Sequence, residues 1–529
     1  MLLALLLASM FVASVNVRFV RADGTIYIRA DGSIDPPTAP ISTGDNATYT
    51  FTDSIYDEIV IERDDIVVDG MNYSLRGTGY WDSRGVYLFG RNNVTIKNVE
   101  IEAFGVAVRL SNSSNNRVFG NVMTNNSYGV VTQFSENDWI SGNAMSGGAR
   151  VGSYGIFSDG SGNASIIGNN ITACELGIRL FGAIDHTLVQ NNIMDCIESG
   201  IEVESSSNNT ISMNNFTSNG NHGIYLHFGS SGNNISLNSV RATHNIGIAQ
   251  YNAGPNDMFD NRITGNAIGV LGCSRLFANE ISDNNIGIML DGAGGAMIFE
   301  NNVTENTQYG IRLQYSHLNL IYRNNFVNNG EQASVYGYEL QEYPNQWDNG
   351  YACGGNFWSD YAGNDSNDDG IGDTPYMIRT YNVDMFPLIA PYDPMTQCYT
   401  FHLGDWGNAP YYVQIASNST VSNLAFAADS ATMSFNVSDN FPAVGYCRIE
   451  FKNALLEGPY TVWVNTTEVS PTTTTDGTNS FLYFTYLQNT YTISVIGTKA
   501  IPESSPILIL PLFMIATLLA VIAYKRKHT

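Results

Sequence analysis

Charge is scarce in this chain of 529 residues: Asp, Glu, Lys and Arg make up 14% of it, with 24 basic residues against 49 acidic ones. The net charge of -25 would repel phosphates over most of the surface, which excludes a nucleic-acid partner. Six cysteines are too few for a disulfide scaffold of this length. Disorder is excluded in turn, because 43% of the residues are hydrophobic and can build a large core.

The two ends carry apolar runs. Leu2 to Val15 is nearly continuous and is followed by Val20-Arg21-Ala22-Asp23, which reads as a secretory signal cleaved after Ala22. No Lys or Arg precedes Arg18, so an uncleaved anchor is the alternative. Ile507 to Tyr524 is apolar and runs into Lys525-Arg526-Lys527. At ~1.5 Å per residue it reaches ~27 Å, enough to span a bilayer, and the basic flank belongs inside. The expectation is a single-pass cell-membrane protein with its ectodomain outside. N-x-S/T triplets beginning at Asn46, Asn72, Asn93 and Asn112, among others, are acceptor sites for glycans in such a place.

Between the ends the chain repeats. Gly followed by Ile or Val recurs at Gly85, Gly105, Gly129, Gly155, Gly177, Gly200, Gly223, Gly247, Gly269, Gly287 and Gly310, with steps of 18 to 26 residues. An Asn ladder shares the period: Asn98, Asn121, Asn143, Asn169, Asn191, Asn214, Asn238, Asn261, Asn279, Asn301 and Asn324. A unit such as Asn169-Asn170-Ile171 to Gly177-Ile178-Arg179-Leu180 alternates apolar and polar residues over short runs, and Asn and Gly fall where φ > 0 would be tolerated. Two or three short strands per repeat cannot bury their faces alone and must stack on identical neighbours about 4.8 Å away. The predicted fold is all-β: a parallel β-helix solenoid of eleven or twelve coils, with stacked Asn amides bonding from coil to coil. The step from Gly269 to Gly287 predicts a coil with a shortened turn. A leucine-rich repeat shares the period but requires a leucine spacing and a helical stretch that the units lack.

The predicted organisation is a signal peptide over 1–22, a lead-in over 23–47, the β-helix over 48–340 and a cap over 341–395. A β-sandwich over 396–500 follows, then a neck over 501–506, the transmembrane helix over 507–524 and a cytoplasmic tail over 525–529. The sandwich rests on alternating runs such as Ala431 to Val437 and Tyr460 to Val464, with Pro471 to Thr475 read as a loop.

Asp365-Ser366-Asn367-Asp368-Asp369-Gly370-Ile371-Gly372-Asp373 places oxygen side chains at positions 1, 3, 5 and 9 and a Gly at 6, as in the first part of an EF-hand-type loop. Asp365, Asn367, Asp369 and Asp373, with the Ile371 carbonyl, would hold Ca2+. Tyr376 stands where the bidentate Glu belongs, so the affinity would be weak and the role structural. A plain Asp/Asn/Gly turn is the competing reading.

After each Gly-Ile, the +2 and +4 residues should face solvent. They gather Asp159, Arg179, Phe181, Glu202, Glu204, Tyr225, His227, Tyr251, Asp291 and Arg312, together with Ala249, Leu271 and Cys273. Rings stack on sugar faces while carboxylates and Arg bond hydroxyls, which suits a polysaccharide laid along the strip. A solvated sheet face is the plain alternative. If the face is catalytic, Glu204, His227 and Arg179 would serve as base, acid and charge stabiliser. His222, His227 and His244 stand at offsets that put them on different faces. Cys174 and Cys196 should stack as two buried thiols, and Cys398 and Cys447 form the better disulfide candidate.

In its repeats and in Gly355-Asn356-Phe357-Trp358-Ser359-Asp360-Tyr361, the chain resembles the NosD-type group of parallel β-helix repeat proteins, named for a periplasmic copper-associated protein and widespread on archaeal surfaces. The resemblance implies the fold and makes the aspartate-rich loop a cap on the last coil. Function is left open by it, because related helices are lyases, hydrolases, epimerases or inert binders. The expected function is binding or display of extracellular glycan; the alternatives are a calcium-assisted polysaccharide lyase, hydrolase or epimerase and, more distantly, a copper-delivery accessory.

Overall fold

The computed structural model describes residues 24–149, 151–337, 343–406, 409–438, 444–487 and 489–501. The expected signal peptide, transmembrane segment and basic tail lie outside these described residues, among which no helix is long and apolar enough to cross a membrane. The chain divides into two compact units, Met1–Asp257 and Met258–Thr529.

From Arg84 onward each coil of the first unit gives a six-residue strand to one sheet and three-residue strands to two others, as in Leu176–Phe181, Thr187–Val189 and Asn192–Met194. Successive coils pair in parallel and in register, so Ile156, Ile178 and Ile201 form one inward column. Leu188 and Ile211 share a second column, and Ile193 and Phe216 a third. All of these residues are fully buried. Burying each such side chain contributes about 1.5–3 kcal/mol, available only once a neighbouring coil covers it. Solenoid turns number about 13 over the chain, more than expected, because the chain is already coiled near its start: Ile26–Ile28 pairs in parallel with Ile59–Ile61.

The two ladders have reasons other than turn conformation. A Cβ on Gly177 would meet Ile193 Cγ2 at 2.4 Å and the Gly200 carbonyl oxygen at 2.5 Å, so this Gly is there for close approach. From Asn121 onward the ladder asparagines are buried, and Asn121, Asn143, Asn169, Asn191, Asn214 and Asn238 pass amide hydrogen bonds of 3.0–3.1 Å from coil to coil. Asn98, expected in the ladder, is instead a half-buried turn residue at φ +53°, and Val99 holds the ladder position, donating its backbone N–H to Asn121 Oδ1. Positive φ falls one residue earlier, at Gly168, Gln190 and Met213.

The second unit continues the same coil pattern. After the strand Ile268–Leu271 only three residues precede Arg275–Phe277, against five between Ile286–Asp291 and Met297–Phe299, which accounts for the short repeat step. Asn261, Asn279, Asn301, Asn324 and Asn356 form its ladder. Trp358 closes the core: it stacks on Phe326 at 4.7 Å and donates its indole N–H to Asp384. The Asn-Phe-Trp run is thus the last ladder rung and the plug.

Two five-stranded antiparallel sheets follow from Gln397 onward and enclose a core that includes Met433, Phe435, Ile449 and Ile493. Thr472–Thr475, read as a loop, is an edge strand paired with Ser480 to Tyr483; its β-branched threonines suit a half-exposed strand. The disulfide joins Cys353 to Cys398, with Cα atoms 5.5 Å apart, and Cys447 is a buried thiol. The expected Cys398–Cys447 pair fails because their strands flank a third: Cys398 faces Ala416 and Cys447 faces Ser417. Two strand spacings, about 9.6 Å, exceed disulfide reach. Cys174 and Cys196 are free, buried thiols; burial pushes the Cys174 thiol up to about 11.

Candidate functional site

The rigid coil stacking puts +2 and +4 residues of the long strands on one outward face. Arg179, Glu202 and Tyr225 align across three coils, and beside them Phe181, Glu204, His227 and Tyr251 align across four. Arg179 is the centre of the cluster. Its Nη2 donates to Glu204 Oε2 at 2.6 Å and its Nη1 to the Tyr154 hydroxyl at 3.3 Å. Its Nε lies 3.7 Å from Glu202 Oε1 and makes no hydrogen bond, so that contact is one of charge alone. The rings of Tyr154, Phe157 and Phe181 stand 5.8–5.9 Å from the guanidinium carbon. Burial works to lower the Arg179 pKa, but the Glu204 hydrogen bond and the Glu202 charge outweigh it and raise the value above its ordinary level.

His227 Nε2 lies 3.2 Å from Glu202 Oε1, and the His227 side chain is only 7% exposed. It is covered because Tyr225 stacks on it at 4.3 Å, while His222 stacks on the other face of Tyr225 at 4.4 Å. Both faces of Tyr225 are therefore occupied and cannot stack on a sugar. His222 and His227 share the outward face, contrary to the sequence expectation, because period-two alternation slips at Gly223: a Cβ there would point at the inward Val240. Ser199 Oγ lies 3.1 Å from His222 Nδ1, and burial, followed by the charge of His227, pushes His222 down to about 4.

Open rings fringe the cluster. Phe228 and Tyr251 are each 60% exposed and Phe181 is 40% exposed. Asp159 accepts a hydrogen bond from Gln133 at 3.0 Å. Ala249 is buried on this face. In the second unit Asp291 is exposed, the Arg312 guanidinium lies 5.4 Å from the Tyr309 ring, and Cys273, expected outward, is buried because its strand ends at Leu271. Sequence reasoning missed Tyr154 and His222, which directly precede the repeat glycines; that column reads Tyr128, Tyr154, Leu176, Ser199, His222 and carries its own signal.

Glu202, Glu204 and His227 offer ligand atoms within 4.8 Å of one another and are the one such group of three among the described residues. Arg179 holds both carboxylates, so a metal ion would have to displace it. In the aspartate-rich loop, Asp365 accepts the N–H groups of Asp369 and Gly370, and Gly370 has φ +82°. Asp369 accepts from the Tyr351 hydroxyl and the Asn367 amide, Asp373 accepts from Ser366, and Ile371 is buried. The loop is folded by its own oxygens, with Asn367 Oδ1 buried and unpartnered.

The right handed beta helix region family matches residues 84–240 and 149–275, and the family described as periplasmic copper-binding protein (NosD) matches 272–363. No curated protein matches. Similar solved structures include the A-module of mannuronan C-5 epimerase AlgE4 from Azotobacter vinelandii, at 15% identity over 53% of this chain and 89% of that one, TM-score 0.36. Periplasmic alginate epimerase AlgG is 16% identical over 60% and 72%, TM-score 0.32. A lacto-N-biosidase from Eubacterium ramulus is 12% identical over 57% and 60%, TM-score 0.31. The likeness to these enzymes is one of fold. Residues 84–363 thus match a NosD-type right-handed β-helix family, the NosD model itself over their last part.

Proposed function

We propose that the outward face around Arg179 binds an extracellular polysaccharide, held at the cell surface by the C-terminal apolar segment. The observation that carries this reading is the ionic cluster of Arg179, Glu202, Glu204 and His227 fringed by the open rings of Phe181, Phe228 and Tyr251. Half-buried charges fix hydroxyl orientation, and exposed rings cover sugar faces. A second reading, a polysaccharide lyase, hydrolase or epimerase, draws on the Glu202–His227 contact of 3.2 Å, a pair within proton-transfer reach. The aspartate-rich loop would take Ca2+ weakly, as a structural ion, by rotating Asp369 and Asp373 off their present donors.

The test is a glycan array probed with the full chain in detergent, followed by product analysis. Under the binding reading, Tyr251→Ala and Phe181→Ala each weaken retention by about 1 kcal/mol, and Glu202→Gln changes it little. Under the catalytic reading, Glu202→Gln leaves retention intact and abolishes product formation. A chain that retains and alters no glycan refutes both.

A further inference from the structure

A cavity of about 290 Å³ opens in the second unit where the cap meets the sandwich. Tyr446, Arg448 and Tyr483 form its sandwich wall, and Leu388, Pro391 and Tyr392 its cap wall. The strand Val444–Lys452 explains the arginine: its alternation sends Cys447, Ile449 and Phe451 into the sandwich core and Tyr446 and Arg448 the other way. Arg448 is only 5% exposed. Its one hydrogen bond among the described residues runs from Nη1 to the Asp369 carbonyl oxygen at 3.3 Å, and its Nε is buried without a partner there. Among the described residues it forms no ion pair. Asp369 is close, but its carboxylate already accepts from Tyr351, Asn367 and Ile371.

A second guanidinium stands behind the same wall. Arg323 is 3% exposed, donates to the carbonyl of the cavity residue Thr396 at 3.3 Å and lies 5.0 Å from the Tyr392 ring. Glu300, 3.5 Å away, balances it in part, and its Nη2 is buried without a partner. Of the acidic residues that line the cavity, Asp368 and Asp393 are exposed at the rim, where water screens them, whereas Asp369 is buried with its carboxylate accepting from Tyr351, Asn367 and Ile371.

Burying a guanidinium is strongly unfavourable unless its donors are met, and a carboxylate meets two of them at once in a planar fork. We propose that this cavity binds a hydroxylated carboxylate of monosaccharide size, a hexuronate, with its carboxylate on Arg448. The tyrosines present apolar faces to the sugar ring, and the rim carboxylates accept its hydroxyl protons. The volume sits at the small end of ligand pockets, ~300 Å³, which admits one ring and not a chain. Cys353 lines the cavity and is bonded to Cys398 of the sandwich, so the two walls are covalently tied before any ligand arrives. The proposal uses none of the residues around Arg179 and stands or falls apart from the surface reading.

The test titrates the full chain in detergent with D-glucuronate, D-glucose and acetate by calorimetry. Saturable glucuronate binding is expected, with glucose and acetate each weaker by about tenfold or more. Arg448→Gln should lose about tenfold in glucuronate affinity. Ala390→Trp, at an exposed position of the cavity wall, should block glucuronate while leaving Arg448 in place. Absence of glucuronate binding, equal binding of glucose, or wild-type affinity in Arg448→Gln overturns the assignment, and acetate binding as tightly as glucuronate reduces the cavity to a simple anion hole and overturns it too. If Arg448→Gln does not fold, retained glucuronate binding in Ala390→Trp overturns it.

Discussion

Asp138 interrupts an amide column, and its replacement by Asn tests the ladder physics directly. It is 2% exposed; its Oδ1 accepts the backbone N–H of Asn116 at 2.9 Å and its side-chain amide at 3.1 Å. Its Oδ2 is buried with no partner, whereas the corresponding Nδ2 of Asn116 or Asn209 donates to a backbone carbonyl of the preceding coil, that of Arg91 or Ala183. Burial pushes the Asp138 carboxyl from 3.8 up to about 7, against the two Asn116 hydrogen bonds that pull it down. Because the folded value is the raised one, the stability linked to this proton is complete below pH 3.8 and is lost as pH climbs through 7. A rise of about 3 pH units at 1.36 kcal/mol each sets an upper bound of roughly 4 kcal/mol lost above pH 8. Asp138→Asn cannot titrate and supplies the missing donor. It should exceed the wild type in stability by up to about 4 kcal/mol at alkaline pH and match it to within about 1 kcal/mol near pH 4. Guanidinium unfolding followed by the fluorescence of the adjacent Trp139 reads both limits. Equal stabilities at alkaline pH, or the same gain at every pH, would refute the argument.

Cys353→Ser opens a loop of 45 residues between cap and sandwich, and the loop-closure relation predicts a loss of about 4 kcal/mol, measurable as a lower calorimetric Tm for the variant. Calcium at 10 mM should stabilise the second unit by roughly 1.4–2.7 kcal/mol for a Kd of about 10⁻⁴–10⁻³ M. Chelation should reverse the gain and Asp373→Ala remove it; indifference to calcium returns residues 365–373 to a plain turn. Protease added to intact cells should remove everything outside the membrane and leave only the short basic tail, whereas a protected full-length chain would contradict the surface location.

The coil was legible because its two ladders are steric and hydrogen-bonding necessities that recur in every turn. Their cause was not: Gly177 and Asn191 look like turn residues in one dimension, and only stacking reveals that Gly177 must admit Ile193 and that Asn191 bonds Asn214. Outward placement of Arg179, Glu202, Glu204 and His227 followed from strict alternation. His222 did not follow, because the alternation slips at Gly223, and the covering of Tyr225 depends on that slip. The Cys353–Cys398 bond was illegible for another reason, since it depends on how the cap docks on the sandwich and on no repeat.

The charge arrangement on the strip narrows what it can hold. Arg179 is the central positive charge of its cluster and is already shared between Glu202 and Glu204. Its two carboxylates outnumber its one guanidinium, within a chain of net charge -25. An anionic sugar would have to take Arg179 from Glu204 at 2.6 Å, leaving two half-buried carboxylates without their counter-charge. The cost of such an exchange rises as the site dries on binding, because screening by water is lost while the carboxylates stay in place. A neutral polysaccharide asks for no exchange: its hydroxyls donate to the remaining carboxylate lone pairs, and its ring faces meet Phe181 and Tyr251. The strip's electrostatics therefore favour a neutral chain over an acidic one, the reverse of the preference proposed for the cavity of the buried Arg448, which forms no ion pair among the described residues.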